Sequence, residues 1–497
     1  GFLQQADVTV FGSLPDVAGV WAPSANLQIG NALAAGDMDL DGLCDLAVQT
    51  NAWARGAGRT NDGLVFIYKG VAANAMNPGG VQPLPSRALA SNADANPSAQ
   101  FGRYLAMADL NGDRAMDLVA SEYQHEKVAG QDNNHGGVRV FMGGGTLPTM
   151  PPAALSASDT AEWLWEGVNN GDNAGWWVTA GDADGDDRAD VVSGNLLGEV
   201  PDGGPANAGS VTIFAGLPAV PPATTPTRQF QGLANGDRFG QNVAVLGDVT
   251  GDMRPDFLVF AGRADAYGYD VGVPYFVSGD ATAAYVPLEL PGGPSGAQLG
   301  RDSDVVGDVN GDGFVDLVVG APNTDSPTLT NNVGVAHLYL GTATGFEATP
   351  ALTLSGFPGH SSGDQLGFAV SRAGDFDGDG FPDFAVVARS EDRPNTFDVA
   401  TYVQDGSCAG TRNDAGAVYI FRGKMNGLPD NRPSFVFFGP QASQVIETLA
   451  GGFDWNNDGR DDLIVGSAAW DDTVAMPNLS NVGGVAVITG RPADGTG

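Results

Sequence analysis

Two kinds of apolar run alternate along the chain. The first is short and unbroken: Leu46-Ala-Val48, Leu118-Val-Ala120, Val191-Val-Ser193, Phe257-Leu-Val259, Leu317-Val-Val319, Phe384-Ala-Val386 and Leu463-Ile-Val465. Successive side chains of a strand point to opposite faces, so such a run asks for cover on both. The second kind opens on Gly and reads as a strand: Gly63-Leu-Val-Phe-Ile-Tyr68, Gly137-Val-Arg-Val-Phe141, Gly209-Ser-Val-Thr-Ile-Phe214, Gly272-Val-Pro-Tyr-Phe276, Gly334-Val-Ala-His-Leu-Tyr339, Gly416-Ala-Val-Tyr-Ile-Phe421 and Gly484-Val-Ala-Val-Ile488. Most of these end in a further Gly, which marks a tight turn. A third strand follows, as in Leu352-Thr-Leu-Ser355 or Phe435-Val-Phe-Phe438, and a fourth leads into the next unit, as in Gly240-Gln-Asn-Val-Ala-Val-Leu246. Helical periodicity is almost absent. Four strands per unit, repeated seven times, predict an all-β fold: a seven-bladed β-propeller of four-stranded antiparallel blades, a single domain over residues 1–497. The last unit lacks an outer strand, while Asp7-Val-Thr-Val-Phe-Gly12 resembles one, so the N-terminal strand is expected to close the last blade and remove a free sheet edge.

An acidic turn precedes each unbroken run. The copies start at Asp37, Asp109, Asp182, Asp248, Asp308, Asp375 and Asp454, separated by 72, 73, 66, 60, 67 and 79 residues. The fifth reads Gly307-Asp-Val-Asn-Gly-Asp-Gly-Phe-Val-Asp316, and the shared pattern is Asp-x-[Asp/Asn]-x-Asp-x-x-x-Asp. Oxygen-bearing side chains thus recur at positions 1, 3, 5 and 9, with position 7 offering a main-chain carbonyl. Calcium takes about six to eight oxygens in adaptable geometry, so such a loop, whose last carboxylate can bind through both oxygens, would make a cage. Magnesium demands a stricter octahedron and fits less well.

The candidate ligands are, copy by copy, Asp37, Asp39, Asp41, Leu43 and Asp45; Asp109, Asn111, Asp113, Ala115 and Asp117; Asp182, Asp184, Asp186, Arg188 and Asp190. They continue with Asp248, Thr250, Asp252, Arg254 and Asp256; Asp308, Asn310, Asp312, Phe314 and Asp316; Asp375, Asp377, Asp379, Phe381 and Asp383; and Asp454, Asn456, Asp458, Arg460 and Asp462. Up to seven Ca2+ are expected. The copy at Asp248 is the weakest, with Thr250 at position 3 and Met253 where Gly recurs. An EF-hand opens similarly but needs Glu at position 12 and flanking helices. Position 12 here is Val319, and the flanks are strands.

These repeats resemble the FG-GAP repeats of the integrin α-subunit seven-bladed β-propeller and its bacterial relatives. The dipeptide appears as Phe101-Gly102 and Phe239-Gly240, relaxed to Leu299-Gly300, Leu366-Gly367 and Ile29-Gly30, and the triplet as Gly320-Ala321-Pro322. The chain departs from that family in carrying the cation loop in every blade and in having Ile446-Glu447 where Phe-Gly would stand. The resemblance implies that the loops join the first and second strands on the lower rim as structural braces. Ligand contacts would then fall on the opposite rim, in the connections 49–62, 122–135, 194–208, 322–332, 389–414 and 467–481.

Composition narrows the alternatives. The net charge is −36, and positions 1, 3, 5 and 9 of the loops hold 24 of the 59 acidic residues: four Asp at those positions in the copies at 37, 182 and 375, three in each of the others. The excess disfavours nucleic acid and anionic membrane as partners. Two cysteines, Cys44 and Cys408, make no disulfide framework; Cys44 reads as a small buried residue and Cys408 as a free thiol. No apolar stretch is long enough to span a membrane and no charged apolar leader opens the chain, so it reads as a soluble, processed or excised piece, secreted or on a cell surface.

Catalysis finds little support. Gly359-His-Ser-Ser-Gly363 matches a nucleophile elbow without the helix that the elbow needs, and no catalytic residue is assigned. His125, His135, His337 and His360 lack zinc spacing; the first two share a loop and could chelate, but solvated loop histidines are the simpler expectation. Asn478-Leu-Ser480 is a glycan acceptor pattern. Trp163 and Trp165 stand in a link where exposed rings could serve a protein or glycan ligand or cover blade tops, whereas Trp176 and Trp177 lead into a strand and read as core. The expected function is a calcium-binding extracellular recognition module for adhesion, with a protein or glycan ligand on the upper face. A lectin-like propeller and a polysaccharide-degrading one are the alternatives.

Overall fold

The computed structural model describes residues 3–4, 8–11, 28–50, 63–71, 85–90, 100–126, 134–147, 161–198, 205–218, 220–263, 272–279, 286–287, 299–325, 332–355, 363–392, 397–398, 403–404, 414–439, 445–471 and 481–492. Seven sheets form the blades of a propeller, each an antiparallel set built from the axis outwards in chain order, to which the N-terminus adds an outer strand on each of the last two. In the first, Ile29–Gly36 is innermost, followed by Asp45–Thr50, Leu64–Tyr68 and Arg87–Leu89. In the fifth the order is Ser303–Gly307, Asp316–Ala321, Val335–Tyr339 and Leu352–Ser355.

Every second strand is buried along its full length, as its unbroken apolar run requires. The cover comes from neighbouring blades. Seven hydrophobic clusters fill the seven junctions between blades; one sets Leu46, Phe66 and Tyr68 of the first blade against Trp455, Ile464 and Val487 of the last. Burial between sheets, rather than a central core, therefore holds the ring closed.

Closure also uses the chain start. Val8–Phe11 is the outer strand of the seventh blade, antiparallel to Gly484–Ile488, with Val8 opposite Val487 and Val10 opposite Val485. A second addition was not foreseen: Leu3–Gln4 runs parallel to Phe435–Phe438, a fifth strand on blade six. Leu3–Gln4 and Val8–Phe11 thus clasp the two final blades. Removing them is expected to uncover two sheet edges, so the truncated chain should self-associate and unfold several degrees earlier. Light scattering after size exclusion, with a thermal scan, checks this; a monomer of unchanged midpoint would refute the clasp.

The two halves of the repeat motif meet across neighbouring blades. Gly367 has φ 83°, and a Cβ built on Gly320 would lie 2.0 Å from the Gly367 carbonyl oxygen. Gly194 and the Gly240 carbonyl repeat this approach at 2.0 Å. The dipeptide therefore begins an inner strand by backing its own peptide onto the second strand of the preceding blade, where only glycine leaves room.

Candidate metal centres

Each acidic turn links an innermost strand to the second strand, so all seven lie at one end of the ring. Their local shape follows from the carboxylate at position 1. In the second copy Asp109 accepts N–H bonds from Gly112 (2.7 Å), Asp113 (3.1 Å) and Arg114 (2.8 Å), winding the turn about its own side chain. Asn111 and Asp113 each accept from the residue two further on, both at 2.8 Å. The chain must then cross the left-handed region at positions 4 and 6, and does so in every copy. Gly usually stands there, but Leu40 (φ 62°), Arg114 (77°), Asp187 (66°), Met253 (64°) and Asn457 (58°) adopt the same backbone. Met253 is thus not unusual among the copies; Arg114 and Asp187 hold the same place.

Position 9 has a role that the residue pattern alone did not disclose. Asp45, Asp117, Asp190, Asp256, Asp316, Asp383 and Asp462 are fully buried, and each opens a second strand. One oxygen accepts the N–H of position 2 at 2.8–3.1 Å, from Met38, Leu110, Ala183, Val249, Val309, Phe376 and Trp455 respectively. The other accepts, at 2.7–2.9 Å, from the glycine that follows the third strand: Gly70, Gly143, Gly216, Gly279, Gly341, Gly423 and Gly490. Those glycines are more than turn residues. A Cβ on Gly341 would sit 2.2 Å from the Val315 carbonyl oxygen, so the third strand can approach the clamp only without a side chain. A cation held through both oxygens of this carboxylate has to share them with two backbone donors. The available signal was the terminal Gly of the third strand, recurring with the same buried Asp.

Burial raises most of these clamps, to about 7 in Asp45, Asp190, Asp316 and Asp462, about 6 in Asp117 and about 8 in Asp383, against backbone hydrogen bonds that lower them. Folded values above the unfolded one mean a stabilising contribution present below pH about 4 and lost as pH rises through about 7. Metal-stripped protein should therefore have a lower unfolding midpoint at pH 8 than at pH 6, and a bound cation should remove that slope. Thermal scans at both pH values, stripped and refilled, are the check; a slope of opposite sign in stripped protein would contradict it.

The donor set suits a hard cation. Ligand oxygens of Asp37, Asp39 and Asp41, of Asp182, Asp184 and Asp190, and of Asp375, Asp377 and Asp383 lie within 4.8 Å of one another in each trio. Buried oxygens at ligand positions have no hydrogen-bond partner: Asp39 Oδ1, Thr250 Oγ1, Asp375 Oδ1 and Asn456 Oδ1. Such acceptors are costly to bury unpaired. The chain's own cations are drawn to the same sites: Lys69 Nζ bridges Asp39 and Asp41, the latter at 2.6 Å, and Arg422 bridges Asp377 and Asp379. Arg188 pairs with Asp186. When bound, Ca2+ would supply the positive charge that these oxygens lack.

Three pairs of neighbouring turns are joined by backbone hydrogen bonds. The position 1 carbonyl of one accepts the N–H at position 8 of the next: Asp37 from Met116 (2.8 Å), Asp109 from Ala189 (3.3 Å) and Asp375 from Asp461 (3.2 Å). Cys44, at position 8 of the first turn, is a free, half-buried thiol pushed up to about 11 by burial and by Asp37 and Asp45.

Several other sequence expectations fall elsewhere. His125 and His135 are buried rather than solvated: His125 Nε2 is 2.9 Å from Glu166, and Arg139 donates to Glu122 at 2.7 Å beside it. Partly buried His337 meets Thr353 at 3.0 Å, and burial pushes it down to about 4. Trp163 and Trp165 belong to the outer strand Trp163–Glu166 and pack on Phe214 at 5.1 and 4.9 Å, so they cover a blade junction instead of awaiting a ligand. Position separates these cases: the partners are remote in sequence. His360, Ser361, Cys408, Asn478 and much of the six upper connections lie outside the described residues. Among the described residues, no helix is long and apolar enough to cross a membrane.

Comparison with known proteins agrees with this architecture. The FG-GAP-like repeat family matches residues 308–386. Integrin alpha-5 of Xenopus laevis is 29% identical over 264 residues, covering 50% of this chain and 21% of that protein. Integrin alpha-PS5 of Drosophila melanogaster is 35% identical over 166 residues (32% and 16%), and mouse integrin alpha-IIb 33% over 172 (33% and 16%). The matched region is about a fifth or less of each relative's length. A solved structure of BBS1N in complex with ARL6DN aligns over 94% of this chain and 95% of its own at 12% identity, with a TM-score of 0.45, too loose a likeness to build on. Repeat spacing, seven-bladed ring and sequence matches together make this chain an integrin-α-like FG-GAP repeat propeller.

Proposed function

We propose that the propeller is a calcium-braced extracellular recognition module for adhesion, in which the acidic turns hold up to seven Ca2+ at the lower rim and a protein ligand docks on the upper one. The observation that carries the reading is the sevenfold recurrence of one acidic turn at a single end of the ring, with carboxylate oxygens gathered within 4.8 Å in three copies and three pairs of neighbours joined by backbone hydrogen bonds. Ions there would brace clustered carboxylates that repel one another when bare, and so add to folding free energy. Braced turns leave the opposite connections, joining second to third strands, as the surface free to vary and to bind. The similarity to integrin α-subunits supports adhesion over catalysis, and a secreted or cell-surface setting suits weak calcium sites.

The test is an array of extracellular proteins and glycans probed with the calcium-loaded propeller and with metal-stripped protein. Protein hits abolished by substitutions in the upper connections are expected. Hits confined to glycans, released by free sugar, would replace adhesion with the lectin alternative. Binding that survives stripping at a temperature where the stripped chain remains folded would limit the ions to bracing.

A further inference from the structure

At the opposite end from the acidic turns the ring gathers positive charge about its axis. Arg103 and Arg301 stand just before the innermost strands Leu105–Ala108 and Ser303–Gly307, and Arg389 just after the second strand Asp383–Ala388. By topology these are the upper ends of blades two, five and six. Arg301 nevertheless lies within electrostatic reach of Tyr104, Arg389 and Arg103, and Arg103 within reach of Glu447, just before the innermost strand of blade seven. Groups from non-adjacent blades can meet in this way only across the axis.

Aromatic rings support the guanidinium groups. Arg301 lies 3.7 Å from the Phe368 ring centroid and Arg389 5.0 Å from the same ring. Arg103 lies 5.4–5.6 Å from Tyr104, Tyr123 and Trp176. Stacking satisfies the face of a guanidinium and leaves its in-plane N–H groups free to form a fork. Carboxylates lie within the same reach, Asp302 of Arg301, Asp414 of Arg389 and Glu447 of Arg103. Glu447 is engaged by Arg389 at 2.7 Å, and Asp302 accepts N–H bonds from Val370 (2.9 Å) and Ser303 (3.0 Å). Arg301 makes no ion pair among the described residues. Arg103 Nε and Arg389 Nε are buried without hydrogen-bond partners. Two arginines on one ring, with a third within electrostatic reach of Arg301, are the reverse of the general surface of a chain of net charge −36.

We infer that the upper hub is an anion-binding site in which Arg301, with Arg103 and Arg389, receives the carboxylate of an acidic side chain presented by a protein ligand. A planar carboxylate matches the fork of a stacked guanidinium. The field of so acidic a chain opposes a free anion, so the carboxylate is held best on a peptide that adds backbone contacts at the hub. The inference rests on the recognition reading for the kind of partner, and on the hub geometry for the chemistry.

The experiment measures fluorescence anisotropy of a labelled Gly-Ala-Asp-Ala-Gly peptide, its Asn counterpart and a sulfated oligosaccharide, with the whole calcium-loaded chain. The Asp peptide should bind, weaken with salt, and lose about tenfold or more in affinity both in the Asn peptide and in Arg301→Gln. Arg301→Lys, which keeps the charge without the fork, should fall between. An unchanged thermal midpoint in calcium confirms that the variants fold. Equal binding of the Asp and Asn peptides, no effect of Arg301→Gln, or preference for the sulfated oligosaccharide overturns the proposal. If protein hits on the array survive Arg301→Gln, the hub site falls and adhesion stands. If the array gives no protein hits while the Asp peptide still binds, adhesion falls and the hub site stands.

Discussion

Saturating calcium is expected to raise the unfolding midpoint of the metal-stripped chain by on the order of 10 °C or more. A site held at a hundred times its dissociation constant adds about 2.7 kcal/mol when the unfolded chain does not bind. For a chain of 497 residues, one degree at the midpoint corresponds to about 1 kcal/mol, so several occupied turns suffice. Magnesium at the same concentration should give a smaller shift, because it surrenders its water reluctantly and requires a regular octahedron. Scanning calorimetry with calcium, with magnesium and with chelator measures all three. Identical midpoints would remove the bracing role, and equal shifts for both metals would remove the preference for calcium. The hydrogen bonds that join three pairs of neighbouring turns also predict positive cooperativity between those sites, visible as a titration steeper than independent sites allow.

Asp316→Ala is the second large effect, and it needs no metal. The substitution strips the acceptors of two buried donors, Val309 N–H at 2.9 Å and Gly341 N–H at 2.9 Å. Each unsatisfied buried donor costs about 1–3 kcal/mol, so a loss of about 2–6 kcal/mol is expected in chelator as well as in calcium. Asp312→Ala, four residues earlier at the exposed tip of the same turn, removes two bonds, from Phe314 N–H at 3.0 Å and from the Asn310 amide at 2.8 Å, but strands no fully buried donor, so it should cost less in chelator and remove much of the calcium increment. The pair separates a clamp from a ligand. Equal losses from both variants in chelator would show that position 9 is not a clamp. Asp316→Asn is informative in a different way: it keeps one acceptor oxygen but turns an amide donor toward a backbone donor, so it should recover only part of the loss.

The candidate site was legible because its chemistry is local. Nine consecutive residues bring the oxygens together, and their order alone places Asp308, Asn310 and Asp312 at one turn. The same locality explains what was read incompletely. The second duty of Asp316 depends on Gly341, 25 residues away and on another strand. The glycines that end the third strands were read as turns because their partners, carbonyls such as that of Val315, approach only after the strands pair. Trp163 and Trp165 lay in a polar-looking link, and only the placement of Phe214 from the next blade showed what they cover. His125 likewise stands in a polar stretch of the sequence, and Glu122, Arg139 and Glu166 enclose it only in the fold.

By itself the sequence determined the repeat, the strand kinds, the acidic turns and the closing strand at Val8, since side-chain alternation, turn chemistry and a terminal unit lacking one strand are all written in consecutive residues. Tertiary structure alone decided which groups face one another across blades and across the axis: the parallel strand at Leu3, the clamp donors, and the meeting of Arg103, Arg301 and Arg389. Those juxtapositions come from ring closure, which brings together residues hundreds of positions apart through the burial of blade faces, a free energy that belongs to no single repeat.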